Sequence, residues 1–328
     1  MTERGAIACL GCGRMARGIA VVFAYAGHPV VIVDVKTRDA AGFAAASEAA
    51  LGEIRDTLKA MARFGLYEEQ ALGQIVSRVT VVPEAGAAAA LTGAAVIFEC
   101  VPEVLDVKRE VLARISRIAG PGPIIASTTS TILVDDLSGA VSDPRRFLNS
   151  HYLNPAFLVP LVEISPGEAT DPGVVVALKA LLESIGKVPV VCAARPGFIV
   201  PRIQALAMNE AARLVEEGVA SAEDVDKAIK YGFGVRFAVL GLLEFIDWGG
   251  GDILYYASRY LTRALDNDRY AAPDIVERNM REGRIGLTTR KGFLDYENLD
   301  VDAYRSDRLE AFVKLLNHFG MVRPPVLN

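Results

Sequence analysis

The opening of the chain constrains the fold more tightly than any other segment. Ala6-Ile7-Ala8-Cys9-Leu10 is a short apolar run of the kind that forms a buried parallel strand, and it ends in Gly11-Cys12-Gly13-Arg14-Met15-Ala16. A helical pattern follows through Ala26, and Gly27-His28-Pro29 breaks it. Val30-Val31-Ile32-Val33 is then a second apolar run, closed by Asp34. Strand, glycine loop, helix, strand and acid, in that order, make a βαβ unit with the G-x-G-x-x-G/A spacing and an acid about 20 residues on. A lone glycine triplet is weak evidence; the full order is specific. Gly11 permits the tight turn, Gly13 lets the backbone approach a pyrophosphate, and Ala16 allows close packing of helix on strand. A pyrophosphate then meets free N–H groups at the helix N-terminus. Asp34 would accept ribose hydroxyls and repel a 2′-phosphate, which favours NAD over NADP. Cys12, Arg14 and Met15 are read with this loop as cofactor-binding.

The alternation continues. Ala40 to Ser77 is rich in Ala, Glu, Arg and Leu and predicts a helical pair projecting from the sheet. Strand-like runs at Val79-Val82, Ala95-Cys100 and Ile124-Ala126 alternate with helical segments, as in a doubly wound sheet. Short strands at Phe147-Asn149 and Leu161-Ile164, a helix over Asp171-Ile185 and a strand at Val188-Val191 close this half. After Ala193-Ala194-Arg195-Pro196-Gly197 the pattern becomes nearly all helix: Phe198-Glu217, Ala222-Lys230, Leu240-Leu265, Pro273-Arg281 and Tyr304-His318. The expected class is α/β, a Rossmann-type doubly wound sheet followed by an all-α C-terminal domain. The expected boundary separates residues 1–194, the NAD-binding part, from 195–328, a helical part that shapes a substrate cleft and carries a dimer interface. Apolar helical stretches such as Phe237-Ile246 favour a homodimer, because one thin helical layer cannot bury them.

Composition matters for what it excludes. With 328 residues the chain has room for two domains, and 52% hydrophobic with 23% charged residues is ordinary globular composition. A net charge of −5 with dispersed basic residues gives no reason to expect nucleic acid or an anionic membrane as partner. No leader is read before the first strand, and no apolar stretch is long enough to span a bilayer, so the expectation is a cytoplasmic protein. Cys9 and Cys12 form a C-x-x-C, but Cys9 lies inside the first apolar run and Cys12 inside the glycine loop. With only Cys100 and Cys192 besides, no second pair completes a zinc site, so no metal is expected and the cysteines read as small hydrophobes in a reducing compartment.

One of the three histidines stands in an unusual setting. His151 opens His-Tyr-Leu-Asn-Pro, and the apolar run Val159-Val162 then delivers Glu163 at its end. Histidine takes and returns protons near neutrality, and a carboxylate on one ring nitrogen fixes its tautomer. On its own, this reads as a structural histidine in a turn.

Further motifs carry a resemblance. Besides Gly11-Cys12-Gly13 with Asp34, these are Glu99-Cys100-Val101-Pro102-Glu103 with Lys108, Ser127-Thr128-Thr129-Ser130, His151 through Asn154-Pro155 to Glu163, Pro196-Gly197-Phe198, and Lys291-Gly292-Phe293-Leu294-Asp295-Tyr296. Across nearly its whole length the chain resembles the 3-hydroxyacyl-CoA dehydrogenases and their lambda-crystallin/L-gulonate 3-dehydrogenase and L-carnitine dehydrogenase relatives. The resemblance implies an NAD-dependent oxidoreductase. It implies His151 and Glu163 as base and orienting acid, Ser130 as the hydroxyl that bonds the substrate oxygen, and Asn154 as the asparagine that follows the histidine. It also sets Glu103 and Lys108 toward the nicotinamide ribose; from their spacing alone they read as a solvated helix start. Ser130 alone reads as one hydroxyl of a helix cap.

Three positions depart from the pattern. Pro201 stands where the family carries an asparagine near the reacting carbon, Thr128 where asparagine is common, and Leu242 where Gly-Pro is common. Proline offers neither a side-chain donor nor an N–H. The expected small-molecule substrate is therefore an L-3-hydroxyacyl-CoA with a short or unusual acyl group, or else a free hydroxy acid of gulonate or carnitine type. A non-catalytic, crystallin-like NAD-binding protein is the third reading. Lys59 and Arg63 are positioned to meet CoA phosphates or simply to solvate a helix face.

Overall fold

The computed structural model describes residues 5–327. Two compact units divide between Ala207 and Met208.

The first unit is built on one eight-stranded sheet. In chain order its elements are β1 (Ala6–Leu10), α1 (Arg14–Tyr25), β2 (Val30–Asp34), α2 (Ala40–Arg63), α3 (Leu72–Val76), β3 (Val79–Pro83), α4 (Ala88–Thr92) and β4 (Ala94–Glu99). There follow α5 (Leu105–Ala119), β5 (Ile124–Ser127), α6 (Val134–Ser138), β6 (Phe147–Tyr152), β7 (Leu161–Pro166), α7 (Pro172–Ser184) and β8 (Val188–Val191). The strands lie in the order β3-β2-β1-β4-β5-β6-β7-β8. Every pairing is parallel except β6 with β7. A parallel sheet covered on both faces needs strands that are apolar throughout, and Ile7 to Leu10 of β1 are fully buried. On one face Ile19 and Phe23 of α1, Ile54 and Leu58 of α2 and Leu178 of α7 form a core with Phe98. On the other, Leu91, Leu112, Ile115 and Leu137 pack against Leu10, Val33 and Ile97.

The chain leaves β1 toward β2 on one side and returns to β4 on the other, so the order reverses between β1 and β4. In open α/β sheets ligands bind beyond the carboxyl ends of the strands at such a switch point. Those ends deliver the Gly11 loop, Asp34, Cys100 and the Ser127-Thr131 turn to one edge. The expected helical pair over Ala40-Ser77 is unequal: α2 is long, while α3 has only five residues. Ala50, Ile54, Leu58 and Met61 are the buried stripe of α2, and the Asp39 carboxylate caps it by accepting from the Gly42 N–H at 2.7 Å.

α8 (Val200–Glu216) runs across the division, and the second unit continues with α9 (Ala222–Ala228), α10 (Val235–Phe237), α11 (Leu242–Gly249), α12 (Gly251–Ala264), α13 (Asp274–Arg281) and α14 (Val301–His318). The single helix expected over Leu240-Leu265 is two. Gly250 adopts φ 104°, which ends α11, and the Gly251 N–H donates to the Ile285 carbonyl at 2.8 Å. The Lys291–Tyr296 block packs on Asp247, whose buried carboxylate accepts from the N–H groups of Phe293 (2.9 Å) and Leu294 (2.8 Å) and from the Tyr296 hydroxyl (3.1 Å). That block is therefore a structural clamp within its unit. No helix among the described residues is long and apolar enough to cross a membrane.

Candidate active site

The glycine loop has the conformation its sequence demands. Gly11 sits at φ 95° and donates its N–H to the Val33 carbonyl at 2.7 Å. Gly13 is the N-cap of α1, extended and without a side-chain cap, so no protein side chain takes the first-turn N–H groups. Ala16 is fully buried against the sheet. Gly11, Cys12, Gly13, Asp34, Lys36, Arg38 and Val101 help to line a cleft of about 340 Å³. A bare helix N-terminus, an open backbone cradle and a buried acid at the next strand end fit the pyrophosphate and adenosine ribose of a dinucleotide. Arg14 is exposed and lines a neighbouring cleft of about 320 Å³ with Arg17, Glu53 and Asn154, while Met15 packs against the core. Burial, reinforced by the Asp34 charge, pushes the Cys12 thiol above its ordinary range, so it is a weak nucleophile.

Glu103 and Lys108 come together, but not as a solvated helix start. The Lys108 ammonium is buried, 2.9 and 3.1 Å from the two Glu99 oxygens, 3.2 Å from the Val101 carbonyl and 3.5 Å from Glu103 Oε2. Glu99, fully buried at the end of β4, also accepts from Ser127 Oγ at 2.5 Å and the Val101 N–H at 2.7 Å. Sequence reasoning passed over Glu99 as a partner, although a carboxylate ending an apolar strand was the available signal. Glu103 Oε1 in turn accepts from Thr129 Oγ (2.5 Å), from the N–H groups of Ser130 and Thr131 (3.0 Å each) and from Thr131 Oγ (3.0 Å). The turn carrying Ser130 thus hangs on one carboxylate and is not a cap of α6. The Ser130 residue itself is exposed.

Burial works against ionisation of Glu103, but the Thr129 hydroxyl, the Lys108 charge and Thr131 outweigh it and hold the carboxyl below its ordinary range. A lowered folded pKa stabilises the turn above the unfolded value, about 4.3, and that contribution is lost as pH falls through the folded value. Amide protection at Ser130 and Thr131 should therefore decline on acidification below about pH 4. In Glu103→Gln protection should be low already at neutral pH and show no such step.

His151 lies within β6, not in a turn, and its register partner on antiparallel β7 is Glu163. Direct opposition of two residues on adjacent strands brings their side chains together. His151 Nδ1 and Glu163 Oε2 are 2.7 Å apart, both side chains buried. A carboxylate oxygen only accepts, so Nδ1 carries the hydrogen, and in the neutral ring the Nε2 lone pair is the one available to a substrate. Glu163 Oε1 accepts from the N–H groups of Ile199 (2.9 Å) and Val200 (2.8 Å) at the start of α8. Gly197 at φ 77° and Phe198 at φ 44° turn the chain so that these amides meet the acid. A left-handed phenylalanine costs on the order of 1–3 kcal/mol. The two amide bonds and a stacked contact with His151, 5.4 Å between centroids and 25° between planes, hold it there. The Phe198 contact with the histidine is a tertiary feature that the Pro196-Gly197-Phe198 motif does not reveal. Asn154 is exposed, and the Asn154–Pro155 peptide is cis. Pro201 is the second residue of α8, where a helix needs no N–H, so the departure is harmless to the helix.

A doubly wound sheet with a dinucleotide cradle at its switch point, followed by a helical unit, defines a Rossmann-type NAD-dependent oxidoreductase acting on a CH–OH group. The model of the 3-hydroxyacyl-CoA dehydrogenase NAD-binding domain matches residues 6–195, and that of the 3-hydroxyacyl-CoA dehydrogenase C-terminal domain matches 197–296. The chain belongs to the 3-hydroxyacyl-CoA dehydrogenase family. It is 31% identical over 308 residues, 94% of its length and 96% of the relative's, to 5-formyl-3-hydroxy-2-methylpyridine 4-carboxylate 5-dehydrogenase of Mesorhizobium japonicum. It is 33% identical over 262 residues, 78% of either chain, to lambda-crystallin of Oryctolagus cuniculus. A 3-hydroxyacyl-CoA dehydrogenase crystal structure from Archaeoglobus fulgidus aligns with a TM-score of 0.76 at 30% identity, covering 97% of this chain and all (100%) of that one.

Proposed function

We propose that the chain interconverts an L-3-hydroxyacyl-CoA and its 3-ketoacyl-CoA, with His151 as the general base. The observation that carries this is the buried His151–Glu163 pair, bonded at 2.7 Å with Nε2 left free. His151 Nε2 takes the hydroxyl proton as the carbinol carbon loses its hydride, and returns it in the reverse direction. Glu163 holds the ring in one tautomer and stabilises the imidazolium that forms. Ser130 donates to the substrate oxygen, and Asn154 borders the same approach. Bound NAD supplies the hydride acceptor. Gly11, Cys12, Gly13, Arg14, Met15 and Asp34 hold it, with Glu103 and Lys108 shaping the side nearest the Ser130 turn.

A second reading, oxidation of a free hydroxy acid, draws on Pro201, which removes a polar contact to the substrate. The relative named 5-formyl-3-hydroxy-2-methylpyridine 4-carboxylate 5-dehydrogenase carries a free carboxylate and no CoA in its substrate's name, which supports this reading. Following NADH formation with 3-hydroxybutyryl-CoA, L-gulonate and L-carnitine in parallel tests the choice. Turnover of the thioester is expected. Turnover of a free acid alone would replace the first reading by the second, and coenzyme binding without any turnover would favour a crystallin-like role. Pro201→Asn should raise kcat/KM on the thioester by about 10-fold, the worth of one added hydrogen bond to substrate.

We also infer a functional boundary at 194/195, a cytoplasmic homodimer and a place in fatty acid metabolism. The dimer reading draws on the second unit, where Val225, Leu240, Val276, Leu287 and Tyr296 are the buried apolar side chains among the described residues, while Met208, Val219, Ile253 and Tyr256 are exposed. Light scattering at micromolar concentration should return twice the 35.1 kDa chain mass.

A further inference from the structure

The adenosine end of the coenzyme cleft carries more positive charge than a site for NAD alone requires. Asp34, which closes β2, is 2% exposed and lies where Rossmann folds read the ribose 2′-position. An isolated acid there selects NAD by repelling a 2′-phosphate. Here the acid is not isolated. Arg38 Nε donates to Asp34 Oδ2 at 2.6 Å, and the Lys36 N–H reaches Oδ1 at 3.3 Å. Both cations line the cleft with Asp34. Arg38 commits only Nε, so its two terminal NH2 groups have no protein acceptor among the described residues, and neither does the Lys36 ammonium. The other acid of this stretch, Asp39, caps α2 by accepting from the Gly42 N–H and forms no ion pair with Lys36 or Arg38 among the described residues. Asp34, Lys36 and Arg38 together carry a net charge of +1.

We propose that Lys36 and Arg38 form a 2′-phosphate site, so that the chain takes NADP(H) as well as NAD(H). The Arg38 ion pair removes the repulsion that Asp34 alone would exert. The planar guanidinium still presents donors of the geometry a phosphate accepts, and Lys36 adds a mobile point charge. Asp34 keeps lone pairs for the hydroxyls of an unphosphorylated ribose, which is why one site serves both coenzymes. This rests on the coenzyme cradle described above and not on which hydroxyl is oxidised.

The test is direct binding, which needs no substrate. The purified full-length chain is titrated with NADH and with NADPH, following nicotinamide fluorescence. Both should bind, with dissociation constants within about 30-fold of each other. Arg38→Ala and Lys36→Ala, checked by melting for an intact fold, should each weaken NADPH by about 10-fold or more, and NADH by clearly less. NADPH binding more than about 1,000-fold weaker than NADH in the native chain would overturn the proposal. So would equal losses for both coenzymes in the variants, because Arg38 would then act only by positioning Asp34. If neither coenzyme binds, the cradle itself has been misread, and the two failures are thereby distinguished.

Discussion

His151→Gln should lower kcat for NADH formation by about 10²–10⁴-fold, the usual worth of a positioned general base, while NADH affinity stays near the native value. The glutamine amide keeps a donor toward Glu163, so the acid remains bonded, but nothing at the Nε2 position can take a proton. Glu163→Gln should act through two routes. It removes the charge that stabilises the imidazolium, and it swaps one acceptor of the Ile199 and Val200 N–H groups for an amide that can present its NH2 instead. A loss in kcat with little change in KM is expected for both, because the pair contributes to the transition state more than to substrate binding. Steady-state kinetics on the responsive substrate, beside coenzyme titration, reads the split.

Lys108→Met should be strongly destabilising, costing about 3–5 kcal/mol, since it leaves the Glu99 charge buried with only Ser127 and the Val101 N–H as donors. Replacing both partners, Glu99→Leu with Lys108→Met, should recover most of that loss, because the penalty belongs to the uncompensated charge and not to the missing attraction. Chemical denaturation of the single and double variants checks this, and a double variant as unstable as the single one would show that the pair itself is what matters. The single variant should also weaken coenzyme binding, through Glu103 and the Ser130 turn that Lys108 supports.

What could be read without coordinates depended on how local the cause was. The βαβ opening was legible because buried parallel strands are continuously apolar and the glycine loop fixes its own backbone. The Gly250 break was not: the hydrophobic flanks of Gly249-Gly250-Gly251 read as one long helix over Leu240-Leu265. Lys108 looked solvated because its main partner, Glu99, sits nine residues back at the end of another element. The His151–Glu163 pairing stands between these cases. Residue types and a resemblance pointed to it, yet the loop from 153 to 160 leaves the strand register open, and a shift of one residue would turn the two side chains to opposite faces. The stacked Phe198 depends on a left-handed backbone that no propensity for phenylalanine predicts.

The most direct test of His151 as the proton acceptor is chemical rescue. His151→Ala opens a space beside Phe198 and Glu163 that an imidazole molecule can fill. NADH formation by this variant should be low alone and rise saturably with added imidazole, while coenzyme affinity remains unchanged. A variant that forms NADH at the native rate without imidazole would contradict the account.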